Sequence, residues 1–326
     1  MIVVTGGAGF IGSNLVAALE AQGSDIAICD RLGSGDKWRN IAKRALADIV
    51  APERLFDFLG AYGREIEMVF HLGAISTTTE RDVDLIVAEN FRMSVALWTW
   101  CARNDKRLIY ASSGATYGDG SNGFDDDASA SALATLRPLN AYGWSKHLFD
   151  RRVAALLAAD APRPPQHVGL KFFNVYGPNE YHKDGQRSVA HQLWERARAG
   201  ETARLIRSYR PDYADGSQLR DFISVDDCVA VMLWLRAHHE VNGLFNVGTG
   251  KARSFLDLAR AVYAAAGRNL ALDFVDAPDD IRAHYQYFTE ARMERLRAAG
   301  YDQNFTALED GVARYVALLD SPDPYR

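Results

Sequence analysis

Cysteine is scarce. Cys29, Cys101 and Cys228 are the only three in 326 residues, odd in number, far apart and set in apolar patterns, which excludes a disulfide framework and suggests no zinc site. They read as small buried apolar residues. No apolar run reaches the roughly 20 residues that a membrane-spanning helix needs, and Met1 leads straight into an apolar strand with no basic-then-apolar leader. These absences predict a cytoplasmic protein with no membrane partner. An excess of positive charge is missing as well: 37 Lys and Arg against 42 Asp and Glu leave a formal net charge of -5. That argues against a general nucleic-acid binder, so an anionic ligand must be met by a local basic cluster. No internal repeat and no low-complexity linker appear. What is present is an ordinary composition, 48% hydrophobic and 24% charged, enough for one large core or two joined lobes.

The most informative stretch comes first. Ile2, Val3 and Val4 form a short apolar strand, glycines stand at 6, 9 and 12, and an apolar period through Ile11, Leu15, Val16 and Leu19 opens a helix. A sharp turn, close approach of a pyrophosphate to backbone N–H groups and tight helix-on-strand packing all need glycine there. The spacing alone is a weak signal. Strand before, helix after and Asp30 closing the next strand make it a dinucleotide site with Gly6, Gly9, Phe10, Ile11 and Gly12 as its floor. Asp30 can accept from a ribose 2′-hydroxyl and favours NAD, whereas Arg31 and Lys37 could clamp a 2′-phosphate. Asp48 and Ile49 are placed for the adenine, and Asn90 for the pyrophosphate or ribose.

Strand-like runs follow at 68–73, 108–112 and 168–173, with helical periods at 52–62, 83–103 and 141–159. Such alternation predicts an α/β fold: a doubly wound parallel (Rossmann) sheet, covered on both faces, with its ligand beyond the carboxyl ends of the strands. Leu72, Gly73, Ala74, Ser76, Ser113, Asn174 and Val175 stand at or just after such ends. Residues 1–174 are expected to form the dinucleotide-binding domain, with 222–247 returning to it. A smaller carboxyl-terminal α/β lobe, 175–326 and mainly 175–221 and 248–326, would close a substrate cleft. Helix starts there are expected at Ser254-x-x-Asp257 and Thr306-x-x-Glu309, and Gly300 should stop a helix begun at Thr289.

Tyr142 and Lys146 are four residues apart, hence on one helix face, and Ser113 could reach the same point. A phenol titrates near 10, too high for a base at neutral pH, and a lysine cation with an oxidised nicotinamide would lower it. Taken alone, Y-x-x-x-K fits a solvated helix face equally well. The glycine-rich start and the Ser-Ser strand end favour chemistry.

These residues lie in motifs, Thr5-Gly-Gly-Ala-Gly-Phe-Ile-Gly12, Tyr110-Ala-Ser-Ser-Gly-Ala-Thr-Tyr-Gly118, Tyr142 to Lys146, Phe173-Asn-Val-Tyr-Gly-Pro178 and Arg220-Asp-Phe-Ile-Ser-Val-Asp226. Together they resemble the extended short-chain dehydrogenase/reductase family. The resemblance implies a nucleotide-sugar substrate, with Tyr142 as base, Lys146 as its partner and Ser113 as a hydroxyl donor. Five further stretches, among them Tyr176-Gly-Pro-Asn-Glu-Tyr-His-Lys183 and Tyr285-Gln-Tyr-Phe-Thr289, resemble the branch that inverts C6 of ADP-heptoses. That branch implies NADP (NAD being the alternative), a homo-oligomer with a five-membered ring as one form, and Lys183 as a second acid/base group that also borders the cofactor. A solvated loop lysine or a phosphate contact is the plainer reading of Lys183.

For substrate phosphates Arg220 ranks first, with Asn174, Arg207 and His191 behind it. An ion pair of Arg220 with Asp221 or Asp226 is the alternative. The resemblance implies that Tyr285 closes the sugar pocket, with an aromatic packed in a core as the equal alternative. Gly185 and Gln192 stand where that branch tends to show serine and histidine, Leu72 replaces an acidic residue, and the Ile206 to Gln218 segment differs in length. No metal is expected, since neither His182 nor His191 has a ligand-spaced partner. The rivals are a 4-epimerase or dehydratase of the same family and a non-catalytic NADP-binding sensor. Gly114-Ala115 after the Ser-Ser strand end counts against a dehydratase, and an intact Ser113, Tyr142 and Lys146 against a sensor.

Overall fold

The computed structural model describes residues 1–277, 282 and 285–326. Its centre is a seven-stranded, all-parallel sheet. The strands are β1 (Ile2–Thr5), β2 (Ile26–Cys29), β3 (Asp48–Val50), β4 (Met68–His71), β5 (Arg107–Ser113), β6 (His167–Phe172) and Gly243–Val247. Across the sheet the order runs Gly243–Val247, β6, β5, β4, β1, β2, β3, so the chain reverses direction between β1 and β4. That reversal opens a crevice at the strands' carboxyl ends, where ligands bind in doubly wound folds.

Near-continuous apolar strands produce two covered faces because successive side chains alternate. Ile2 and Val4 face one layer with Ile28, Phe70 and Leu170, packed by Leu15 and Leu19 of helix α1 (Phe10–Ala21) and by Met232 and Leu235 of helix Val225–Ala237. Val3, Ala27 and Val69 face the other, packed by Leu59, Trp98 and Phe149. All three cysteines are buried free thiols. A further apolar cluster joins Tyr176, Trp194 and Leu205 to Leu258, Val262, Val312 and Tyr315, beside the crevice.

Local signals in this second half divide. Ser254 and Asp257 form a reciprocal capping box at helix Phe255–Ala265. Thr306 does not cap helix Leu308–Leu319, whose N-cap is Ala307. Its N–H and hydroxyl go to the Asp227 carboxylate, each at 2.9 Å, a buried acceptor that outcompetes a local cap. Thr289 starts no helix; it is buried beside Asn174. The helix ahead of Gly300 is only Glu294–Ala298. The expected helix over 83–103 forms, but residues Val87–Arg92 widen into a π-turn.

Candidate active site

The turn after β1 is shaped by close approach. Gly6 has φ +69°, and a Cβ there would lie 2.6 Å from the Gly73 nitrogen, while one on Gly12 would lie 2.1 Å from the Gly6 carbonyl oxygen. Only glycine fits at either place. Helix α1 starts immediately afterwards with Gly9 as N-cap, no side chain capping it and no acidic residue in its first turn. Its first N–H groups and positive dipole end are therefore offered to an anion, the arrangement a dinucleotide pyrophosphate fits.

Gly6, Gly9, Phe10, Ile11 and Gly12 line a cavity of about 540 Å³ together with Asp30, Lys37, Leu72, Gly73, Ala74 and Ser76. Asp30 accepts from the Ala8 N–H at 2.9 Å, the Arg31 N–H at 2.8 Å and the Lys37 ammonium at 2.5 Å. The Arg31 guanidinium turns away from this cavity and is held by Glu53 and Glu89. Asp48 and Ile49 are exposed and outside the lining; the Asp48 carboxylate accepts from the Ile49 N–H at 2.7 Å. Asn90 is buried behind the wall, where its amide clasps the Ile75 backbone at 2.8 and 3.0 Å and the Ser145 hydroxyl at 3.0 Å. It shapes the loop after β4 without reaching the cavity.

The same cavity is bounded by Ser113, Tyr142, Lys146, Asn174, Val175 and Lys183. Tyr142 and Lys146 lie on helix Ala141–Ala158, whose N-cap Asn140 accepts from the Gly143 N–H at 2.8 Å. Burial pushes the Tyr142 phenol above its ordinary range and a hydrogen bond from Ser113 pulls it back; the lowering expected from the Lys146 cation is absent, because that ammonium is turned to the Ala111 carbonyl. The Ser113 oxygen accepts from the Ala115 N–H at 3.1 Å, which leaves its hydrogen for that purpose. Lys146 donates to the Ala111 carbonyl at 2.8 Å. Burial draws its ammonium down to about 8, against the opposing pull of Asp150.

Lys183 arrives from the other side, on the short 3-10 helix Tyr181–Gln186. Its Nζ lies 5.7 Å over the Phe10 ring and has no hydrogen-bond or ion-pair partner among the described residues. Burial lowers its pKa, with Glu180 acting in the opposite direction. Sequence reasoning missed what holds this segment. Asn14 donates to the Pro178 carbonyl at 2.9 Å, Asn179 donates to the Ser13 hydroxyl at 3.0 Å, and Asn40 bridges the Ala8 carbonyl at 2.9 Å, the Asn179 carbonyl at 3.0 Å and His182 Nδ1 at 3.0 Å. Three separated asparagines carry no local signal.

A second cavity of about 610 Å³ shares Ser113, Tyr142 and Asn174 with the first and extends to Arg220, Tyr285 and Gln286. The Arg220 guanidinium is buried, donates to the Leu219 carbonyl at 2.8 Å and to the Gln286 carbonyl, and lies 5.4 Å from both the Phe255 and Tyr285 rings. It has no carboxylate partner among the described residues. Asp221 serves the N–H groups of Thr249, Gly250 and Ala291, and Asp226 pairs with Arg326. The other substrate candidates lie outside both linings. Gly185 is exposed beside the cavity residue Gln186, and Gln192 is exposed and donates to the Arg187 carbonyl at 2.8 Å. The Ile206 carbonyl accepts from Gln218 at 3.1 Å and Arg207 pairs with Asp215 at 3.8 Å. His191 is buried against Tyr181 and Trp194.

A family model described as the NAD dependent epimerase/dehydratase family matches residues 2–248. The chain belongs to that family. It is 47% identical over 329 residues to an ADP-L-glycero-D-manno-heptose-6-epimerase of Nitratidesulfovibrio vulgaris, covering 100% of both chains. It is 43% identical over 335 residues to the protein of the same name from Fusobacterium nucleatum, again covering 100% of both. The crystal structure of the Helicobacter pylori ADP-L-glycero-D-manno-heptose-6-epimerase superposes with a TM-score of 0.79 at 25% identity, over 97% of this chain and 94% of that one. The protein is thus an epimerase, an isomerase dependent on a nicotinamide dinucleotide, with the extended short-chain dehydrogenase/reductase fold that the motifs implied. Among the described residues no helix is long and apolar enough to cross a membrane.

Proposed function

We propose that the protein inverts C6 of an ADP-heptose with NADP, by transient oxidation to an aldehyde and re-reduction, using Tyr142 and Lys183 as its two acid/base groups. One observation carries this reading: a phenol from the sheet side and a partnerless lysine from the facing loop border one cavity with the glycine cradle. The names of full-length relatives from two organisms support the substrate.

A bound nicotinamide would accept hydride from the sugar carbon and return it. Tyr142 takes the hydroxyl proton while Ser113 donates a hydrogen bond to the same oxygen; because burial holds the phenol above its ordinary range, the phenolate would need the positive charge of a bound oxidised nicotinamide, with Lys146 one helical turn away. Hydride returns from one fixed side, so inversion requires the aldehyde to turn about its bond to the ring, which carries its oxygen elsewhere. In this reading Lys183, on the facing side of the cavity, gives the proton to the oxygen in its second position, and burial that depresses its pKa makes that proton easier to give; the proton left on Tyr142 returns to Lys183 through solvent before the next turnover. Arg220, with a planar fork unclaimed by any described carboxylate, suits a diphosphate. For the cofactor, Lys37 at the Asp30 end of the cavity is the cation that would meet a 2′-phosphate. Residues 1–174 with 222–247 would hold the cofactor, and 175–221 with 248–326 would close over the sugar.

Incubating the protein with a panel of nucleotide sugars and following epimer ratios by NMR tests the proposal. Inversion of the ADP-heptose at C6 is expected. Inversion at C4 of a hexose conjugate without action on the heptose would overturn it. A mass spectrum of the co-purified dinucleotide should show NADP, and NAD alone would remove that part.

A further inference from the structure

Residues 321–326 lie against the two stretches that flank the glycine cradle. On one side Lys43 donates to the Tyr325 carbonyl at 2.5 Å and pairs with Asp323 at 2.8 Å, while the Arg39 guanidinium sits 4.6 Å over the Tyr325 ring. On the other side the Tyr181 hydroxyl donates to the Pro324 carbonyl at 2.8 Å, and the Arg326 N–H donates to Asn179 Oδ1 at 3.1 Å. The Tyr325 and Tyr181 rings meet edge to face at 5.1 Å. None of these tail residues lines the two cavities around Tyr142.

What they grip is the segment that carries Lys183. That segment is weak by itself. Its short 3-10 stretch, Tyr181–Gln186, is kinked at Asp184, where φ is +47°, and Asn179 just before it has φ +69°, a conformation L-residues resist. Asn14, Ser13 and Asn40 fasten its inner side to the cradle. Its outer side is fastened by Pro324, Tyr325 and Arg326.

We infer that residues 321–326 form a clasp that sets the position and partial burial of Lys183, with Tyr325 as the positioning residue acting through Tyr181 and Arg326 through Asn179. The clasp deepens the proposed function, because it rests on Lys183 as the second acid/base group. Its chemistry is mechanical. With the Tyr325 ring removed, Tyr181 loses its edge contact and Arg39 its stack, the segment gains freedom to swing outward, and the half-buried Lys183 amine becomes more exposed to water.

The test compares Tyr325→Ala with Tyr325→Phe in the full chain. The Tyr325 hydroxyl makes no hydrogen bond among the described residues, so Tyr325→Phe keeps every contact and should match the parent. Tyr325→Ala should lower C6 inversion on the order of 10- to 100-fold, as expected for displacing an acid/base group by about an ångström. Substrate KM and substrate-driven cofactor reduction, which Tyr142 governs, should hold. A second readout is independent of turnover: acylation of Lys183 across pH, followed by peptide mass spectrometry, should shift toward the profile of an ordinary exposed lysine. Unchanged inversion with an unchanged labelling profile overturns the clasp, as does equal loss in Tyr325→Phe. A shifted profile with full inversion upholds the clasp and overturns Lys183 as a base. Should Tyr325→Ala fail to fold, Lys43→Ala removes two contacts of the same clasp from the surface and should move both readouts in the same direction by less.

Discussion

Tyr142 and Lys183 face one cavity, yet they are held by different means. Tyr142 sits in the first turn of an 18-residue helix that is side-chain capped by Asn140 and packed on the sheet through Phe149 and Val153. Lys183 sits on a six-residue 3-10 element held by hydrogen bonds to distant asparagines and by the clasp. The first arrangement is anchored by apolar burial along many residues, worth roughly 1.5–3 kcal/mol for each large side chain. The second depends on a handful of polar contacts worth about 1 kcal/mol each. The difference suits the two proposed roles: a proton acceptor for oxidation would need one fixed geometry, and a group on the far side would have to admit a substrate that turns between steps.

The largest effect should come from the rigid side. Tyr142→Phe should leave the dinucleotide co-purifying and lower inversion by about 10³-fold or more, near the upper range for loss of a general base. Full NMR-measured inversion in that variant would remove the comparison altogether. Lys183→Ala should cost on the order of 10²-fold in inversion, while substrate-driven appearance of reduced nicotinamide persists. If only KM rose, Lys183 would be a binding contact.

A pH experiment sharpens the same contrast. Lys146 is drawn from 10.5 to about 8 by burial, so inversion should fall above roughly pH 8 as the buried cation one helical turn from Tyr142 is lost. Stability moves the other way. Between the two values the unfolded chain holds the extra proton, so the burial penalty is present in full below the folded value and is relieved as pH rises through it. Since Asp150 raises the Lys146 pKa, Asp150→Asn should carry the alkaline limb of the rate profile to lower pH. The smallest effect is at the helix end. Asn140→Ala removes the cap on the Gly143 N–H and should cost about 1 kcal/mol in denaturant unfolding, with a smaller change in inversion than Lys183→Ala.

What could be read in the sequence follows the same division. The glycine turn, Asp30, Gly73, Ser113 and the Tyr142 helix lie in or beside regular elements whose apolar periods declare them, and the parallel, two-faced sheet follows from that alternation. The packing of the Lys183 segment is illegible in the sequence because the contacts that hold it, from Asn14 and Asn40 and through its own Asn179, join short polar residues only on folding. Competition between partners defeated other readings. Arg31 has two glutamates within reach, 22 and 58 residues away, and Thr306 is drawn off its expected cap by Asp227. Arg220 was read as a phosphate ligand or an ion-pair partner. It pairs with neither aspartate, because Asp221 is committed to three backbone N–H groups and Asp226 to Arg326.

The most direct measurement is the fate of a deuterium placed on C6 of the ADP-heptose during turnover in ordinary water. A hydride lent to the cofactor and handed back within one closed site predicts both C6 epimers with the deuterium still on C6. Inversion accompanied by washout of the label into solvent, or no inversion of this sugar, would contradict it.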